Sequence, residues 1–145
     1  MIEVRRPCAA DFLAIEYQPA DLGMASWYRE NAEHMERVCD ETARTVLLDG
    51  TPRGIGGILP TGEAWTILGA DCRRVMPILV RTVRRAIQWY GLYVGTVYAI
   101  IDAPRPECVR WAGLLGLTRQ SPEIWIYAKR PLGTTLRWRG YRPQL

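Results

Sequence analysis

Apolar and polar positions alternate first over Ile2 to Arg5, which predicts a short strand ended by Pro7. Ala9 to Tyr17 predicts a short helix. It closes at Gln18-Pro19, because the residue before a proline is pushed out of the helical region. Helical spacing returns from Met24 to Cys39, with Met24, Trp27, Tyr28, Met35 and Val38 on one face. Arg29, Glu30, Glu33, Glu36 and Arg37 fall elsewhere on that helix, as does the single histidine, His34. Thr42 to Leu48 reads as a strand, Asp49-Gly50-Thr51-Pro52 as a turn and Gly54 to Leu59 as the return strand. The glycines of that strand have no helix directly behind them. They predict a bulge or close packing rather than a phosphate loop.

The centre of the chain is Glu63 to Tyr90, read as strand, turn and long basic helix. Trp65, Ile67 and Leu68 suit a pleated surface over Ala64 to Leu68. A helix is expected from about Cys72, with Val75, Leu79, Val83, Ala86 and Tyr90 as its apolar stripe, Asp71 as N-cap and Pro77 in its early turns. Gly91 to Gly95 predicts a break and Thr96 to Ile101 a central strand. Pro106 opens a helix over Glu107 to Leu115, which Gly116 stops. Two last strands are expected near Leu117 to Gln120 and Glu123 to Lys129. The order β-α-α-β-β-β-α-β-α-β-β implies an α/β (α+β) fold, a mixed central sheet flanked by helices. Residues 1–130 form one expected domain, and 131–145 an Arg/aromatic tail.

Composition narrows the function classes. A chain of 145 residues, 48% hydrophobic and 23% charged, fits one globular domain. It has no apolar run of about 18 residues, so no membrane partner is expected. The start, MIEVRRPCAADF, lacks the apolar core of a signal peptide, so export is not expected either. Cys8, Cys39, Cys72 and Cys108 form no C-x-x-C pair, which reads as buried free thiols rather than a metal site.

Charge changes the picture more. Of 19 basic residues 18 are arginine, the side chain best shaped for bidentate contacts with phosphate or carboxylate. Residues 1–63 carry 11 acids and 6 bases, a net of −5; residues 64–145 carry 4 acids and 13 bases, a net of +9. Such asymmetry points to contact with an acidic partner or nucleic acid, or to two solvated faces of opposite sign. The candidate interaction surface is Arg73, Arg74, Arg81, Arg84 and Arg85 on the central helix, with Arg137, Trp138, Arg139 and Tyr141 in the tail.

The element order over residues 2–129, with VYAII and CVRWAGLLGL as strand and following helix, resembles the GNAT acyltransferase family. That resemblance implies a strand-turn-helix that holds the pyrophosphate of acetyl-CoA, and a next strand that diverges to admit its pantetheine arm. Active members carry Arg/Gln-x-x-Gly-x-Gly/Ala in the turn. Here Leu68-Gly69-Ala70-Asp71-Cys72-Arg73-Arg74 has one glycine, and an aspartate where the anion would arrive. The family's general-acid tyrosine falls at Ala112, beside Trp111, and its Asn-x-x-Ala is replaced by Asp102-Ala103-Pro104-Arg105-Pro106. Glu63, Asp71 or a water remain as base candidates, none singled out. No catalytic, cofactor-binding or metal residue is therefore assigned.

DGTPRGIGGILPTGEAWTILGAD, the Arg-rich helix and RWAGLLGL are similar to small GNAT-like proteins of short-tailed bacteriophages, including the internal virion protein A family. This second resemblance spans roughly residues 40–129. It implies a role in virion assembly or in the internal core and ejection machinery, with other phage structural or assembly proteins as partners. The implied location is the host cytoplasm during assembly and then the virion. The alternatives are an active N-acyltransferase using acetyl-CoA through a variant loop, and a nucleic-acid-binding module.

Overall fold

The computed structural model describes residues 1–39, 41–101 and 105–127. Among them strand β1 (Ile2–Arg5) is followed by helices α1 (Ala9–Ala14), α2 (Leu22–Glu30) and α3 (Ala32–Val38). Strands β2 (Arg44–Leu48), β3 (Thr51–Ile58) and β4 (Ala64–Leu68) come next, then a 3-10 helix at Cys72–Val75 and the long helix α4 (Met76–Tyr93). Strand β5 (Tyr98–Ile100), helix α5 (Pro106–Leu114) and strands β6 (Thr118–Arg119) and β7 (Ile124–Ile126) complete the described chain. The fold is mixed α and β, as the element order predicts.

The single mixed sheet expected from sequence is instead two antiparallel sheets, β1-β2-β3-β4 and β5-β7-β6. They meet at one parallel bridge, Glu63 with Tyr98, where the Tyr98 N–H donates to the Gly62 carbonyl at 3.0 Å. Beyond it β5 pairs with β7 rather than with β4. Tyr98 thus has a partner on each side, Glu63 at the bridge and Ile126 in the ladder, while Ala99 and Ile100 pair in the ladder with β7.

The first sheet is buried on both faces. Phe12, Ile15, Tyr17, Ala25 and Met35 of the α1–α3 layer pack with Ile55 and Ile67 on one face. On the other, Leu79 of α4 meets Val46, Cys72 and Val75, while Ala86, Ile87 and Tyr90 join Ile58, Val97, Ala112 of α5 and Leu115 just after it. The β3 glycines are explained by packing: a Cβ on Gly54 would collide with Leu79, and one on Gly57 would stand 2.8 Å from the Ala43 Cβ. A register shift between Val46 and Leu47 supplies the bulge.

Three local expectations need correction. The helix foreseen over Met24 to Cys39 is split at Asn31, whose amide side chain donates to the Trp27 carbonyl at 2.8 Å. Its buried stripe is Ala25, Tyr28, Ala32 and Met35, whereas Met24 and Trp27 are about half exposed, at 52% and 45%. The small alanines let α2 and α3 lie close to Phe12, with Tyr28 stacked on its ring at 6.4 Å, while Met24 and Trp27 turn outward. The Gly91 to Gly95 break begins late, since α4 continues to Tyr93. Gly91 serves contact instead: a Cβ there would stand 2.7 Å from the Tyr127 ring.

β1, α1 and β2 are tied through one carboxylate. Asp11, only 2% exposed, accepts from Arg5 Nη2 at 2.6 Å, Arg5 Nη1 at 2.9 Å, the Cys8 amide at 3.0 Å and Thr45 Oγ1 at 2.8 Å. Asp11→Ala strands three buried or half-buried donors at once. Because Arg5 can partly rehydrate, the expected loss is about 2–3 kcal/mol rather than the full cost of an orphaned buried charge. Urea denaturation monitored by far-UV circular dichroism measures it; a loss under about 1 kcal/mol would show the network to be incidental.

Candidate functional site

The turn after β4 is where an anion would be expected, and its backbone is already engaged. The Gly69 amide donates to the Arg53 carbonyl at 2.9 Å, the Ala70 amide to Glu16 at 2.7 Å and the Cys72 amide to Gly69 at 3.2 Å. Tyr17 and Gly69 form an isolated antiparallel bridge, so residues 16–17 run beside the end of β4. A Cβ on Gly69 would lie 3.1 Å from the Arg53 oxygen. The turn's one glycine thus answers to the approach of two backbones. Asp71 is exposed at the mouth of the 3-10 helix, and Pro77 sits in the first turn of α4.

A pyrophosphate cradle needs amide hydrogens that the chain has left open, aimed at one point. Here three amides are closed by carbonyls of the chain itself, and a carboxylate stands at the turn. These residues do not fit the pyrophosphate of acetyl-CoA.

Beside the turn lies a cleft of about 360 Å³, lined by Thr66 and Leu68 at the end of β4, by the start of the helical segment after it and by α5. Leu68, Met76, Trp111 and Leu114 give it an apolar floor, and Gln18, Asp21, Arg73, Arg105, Glu107 and Arg110 a polar rim. Arg105 clamps the rim: Nη1 donates to Asp21 at 3.1 Å and Nε to Glu107 at 3.2 Å. The hydrogen bond to Asp21, then that to Glu107, hold its guanidinium protonated still more firmly. Glu107 is held below the usual carboxylate range, by a backbone hydrogen bond first and by Arg105 second. The indole nitrogen of Trp111 is buried without an acceptor among the described residues.

The reactive groups of the cleft are few and engaged. Cys72 lines it, yet burial pushes its thiol up, against hydrogen bonds from the backbone and Gln18, whose Nε2 lies 3.8 Å from the sulfur. A thiol kept protonated is a poor nucleophile. Both rim carboxylates are in ion pairs. Glu63 and Asp71, the base candidates, do not line the cleft, and neither does His34, which is exposed on α3.

Arg73, Arg74, Arg81, Arg84 and Arg85 are all exposed, and Arg73 alone among them also lines the cleft. Arg137, Trp138, Arg139 and Tyr141 lie outside the described residues. Asp21 and Arg105 escaped the sequence reading because they are 84 positions apart and share no motif. No metal-ligand cluster occurs among the described residues.

Two outcomes are expected. Gly69→Ala forces the backbone of Arg53 to yield by a few tenths of an ångström and should cost about 1–2 kcal/mol in thermal or urea unfolding. If the variant is as stable as the parent, the glycine is not there for packing. The second outcome concerns alkaline pH. Burial pushes Tyr17, whose hydroxyl donates to the Phe12 carbonyl at 2.9 Å, up to about 12 from 10.0. Burial also raises Tyr28, and Cys72 from 9.0. In each the folded protein holds the proton more tightly than the unfolded chain. Their contribution is therefore complete below pH 9 and is lost as pH rises towards 12. Denaturation midpoints should fall steadily above pH 9, and a flat profile between pH 9 and 11 would contradict the burial of these groups.

No family model, curated protein or solved structure matches the chain.

Proposed function

We propose that the protein is a binding scaffold on a GNAT-like fold that has lost acyl transfer, working in bacteriophage virion assembly. One observation carries the loss of transfer chemistry: the amides of Gly69, Ala70 and Cys72 are closed by the chain's own carbonyls, and Asp71 stands beside them. The cleft agrees with it, having a protonated thiol and two ion-paired carboxylates, and Ala112, buried in the core behind it, stands where the resemblance would put a general-acid tyrosine. The phage setting rests on the resemblance of residues 40–129, and its partners would be other phage structural or assembly proteins, in the host cytoplasm and in the virion.

A second reading has one observation in its favour. A cleft of about 360 Å³, the volume of a small ligand site, lies beside the end of β4, the strand next to which the resemblance implies a pantetheine arm. On this reading the enzyme would hold acetyl-CoA without the usual pyrophosphate grip.

Calorimetric titration with acetyl-CoA separates the two. The scaffold reading expects no binding heat at sub-millimolar ligand, whereas micromolar affinity would overturn it. Tagged protein expressed during infection should sediment with particles or with other phage proteins; a protein that stays monomeric and apart from both would remove the assembly role.

A further inference from the structure

The helix α4 has 18 residues and not one carboxylate. Together with the 3-10 helix before it, residues 71–93 carry five arginines and a single acid, Asp71. At about 100° per residue, Leu79, Val83, Ala86, Ile87 and Tyr90 mark the side turned to the sheets. Arg81, Arg84 and Arg85 fall on the opposite half. Arg73, Arg74, Arg81 and Arg84 make no ion pair among the described residues. Arg74 acts on Asp49 only through space, and Asp49 is bonded to the N-terminal amine.

The other layer has the opposite sign. Residues 9–39, which build α1–α3 across the first sheet, hold six acids and two arginines. The asymmetry seen along the sequence therefore becomes a separation through the sheet, acidic helices on one side and a basic helix on the other. Such a molecule meets a polyanion with one face.

What kind of polyanion follows from what the face lacks. Protein interfaces are anchored by aromatic and apolar side chains at their centre. Between Arg73 and Gly91 no large apolar side chain is exposed; Leu92, Tyr93 and Val94 come only at the far end. The face offers charge without an anchor, which suits a phosphate backbone. From Arg74 to Arg85 the chain advances roughly 16 Å at about 1.5 Å per residue. Because a duplex strand winds as it rises, the row is counted by its side chains: Arg73, Arg74, Arg81 and Arg84, without an ion pair among the described residues, can serve about four phosphates. We infer that α4 is a sequence-independent docking face for the phosphate backbone of double-stranded nucleic acid, with the α1–α3 layer directed away. This goes beyond the scaffold reading and does not depend on how acetyl-CoA behaves.

The test is fluorescence polarisation of the full chain with a labelled 25-base-pair DNA duplex of arbitrary sequence. Four phosphate contacts predict a slope of log affinity against log salt near −3.6, or a loss on the order of 100-fold between 50 and 200 mM salt. A second duplex of unrelated sequence should bind within about twofold. The variant Arg74→Gln/Arg81→Gln/Arg84→Gln should lose at least about tenfold in affinity and flatten the slope by about 2.7, with its circular dichroism unchanged. Arg29→Gln/Arg37→Gln, on the acidic layer, should bind like the parent. Absence of binding at 50 mM salt, full affinity in the triple variant or equal loss in the control pair would each overturn the inference. So would binding of polyglutamate that matches the duplex in affinity and is lost in the triple variant, since the face would then recognise acidic protein.

Discussion

The architecture depends on one crowded joint. Gly62 has a φ of +91°, and a side chain there would collide with the Thr96 carbonyl oxygen. Only a residue without Cβ lets the start of β5 come so near the start of β4. The Gly62 carbonyl then accepts from Tyr98 at 3.0 Å, while Tyr90 of α4 donates its hydroxyl to Pro60 at 3.2 Å. Two sheets and the long helix are pinned within three residues. The pin lies at one end of β4, and the cleft lies at the other, beside Thr66 and Leu68.

At that far end the backbone amides of the turn bear on whether an anion can be held. Backbone amides at the mouth of a helix attract phosphate only while they lack a partner. In this chain the segment after α1 turns back at Glu16 and Tyr17 and takes those positions, and the β3 bulge offers Arg53. The same donors that could have served a ligand now complete the edge of the sheet. Net stabilisation from a neutral hydrogen bond is modest, about 1 kcal/mol, but leaving a buried amide unmet would cost more than that. Filling the turn therefore makes this end of the sheet sturdier and takes those three amides away from any anion. Positive charge is not lost with it; it is displaced onto the exposed half of α4.

Much of the element order could be read from the sequence, because period and punctuation act locally. The strand Ala64–Leu68 stands where its β-branched and aromatic residues put it. Pro106 opens α5, and Gly116, at φ +84°, closes it with Leu117 donating to Ala112 at 3.1 Å. What could not be read depends on distance. Whether Met24 or Ala25 faces inward is settled by the ring of Phe12, which no local pattern encodes. Gly91 looks like a stop until Tyr127 is found against it. The division into two sheets depends on β4 and β5 meeting at a single bridge, Glu63 with Tyr98, and the cleft rim on Asp21 meeting Arg105 across most of the chain. The turn was half legible: its missing glycines and its aspartate are in the sequence, whereas the engagement of its amides required coordinates.

The first strand has a further consequence. β1 is the outer edge of its sheet, and Ile2 and Val4 lie partly open to water, so it is held by the Arg5–Asp11 pair more than by burial. A long apolar edge invites strands from other molecules. This one offers four residues, two of them charged, with Glu3 and Arg5 at 3.6 Å from one another. An incoming strand would have to lie across that ion pair and past Pro7, which has no amide hydrogen to give. The tie that fastens β1 to the domain therefore also guards the sheet against aggregation, keeping a sticky edge short, charged and occupied.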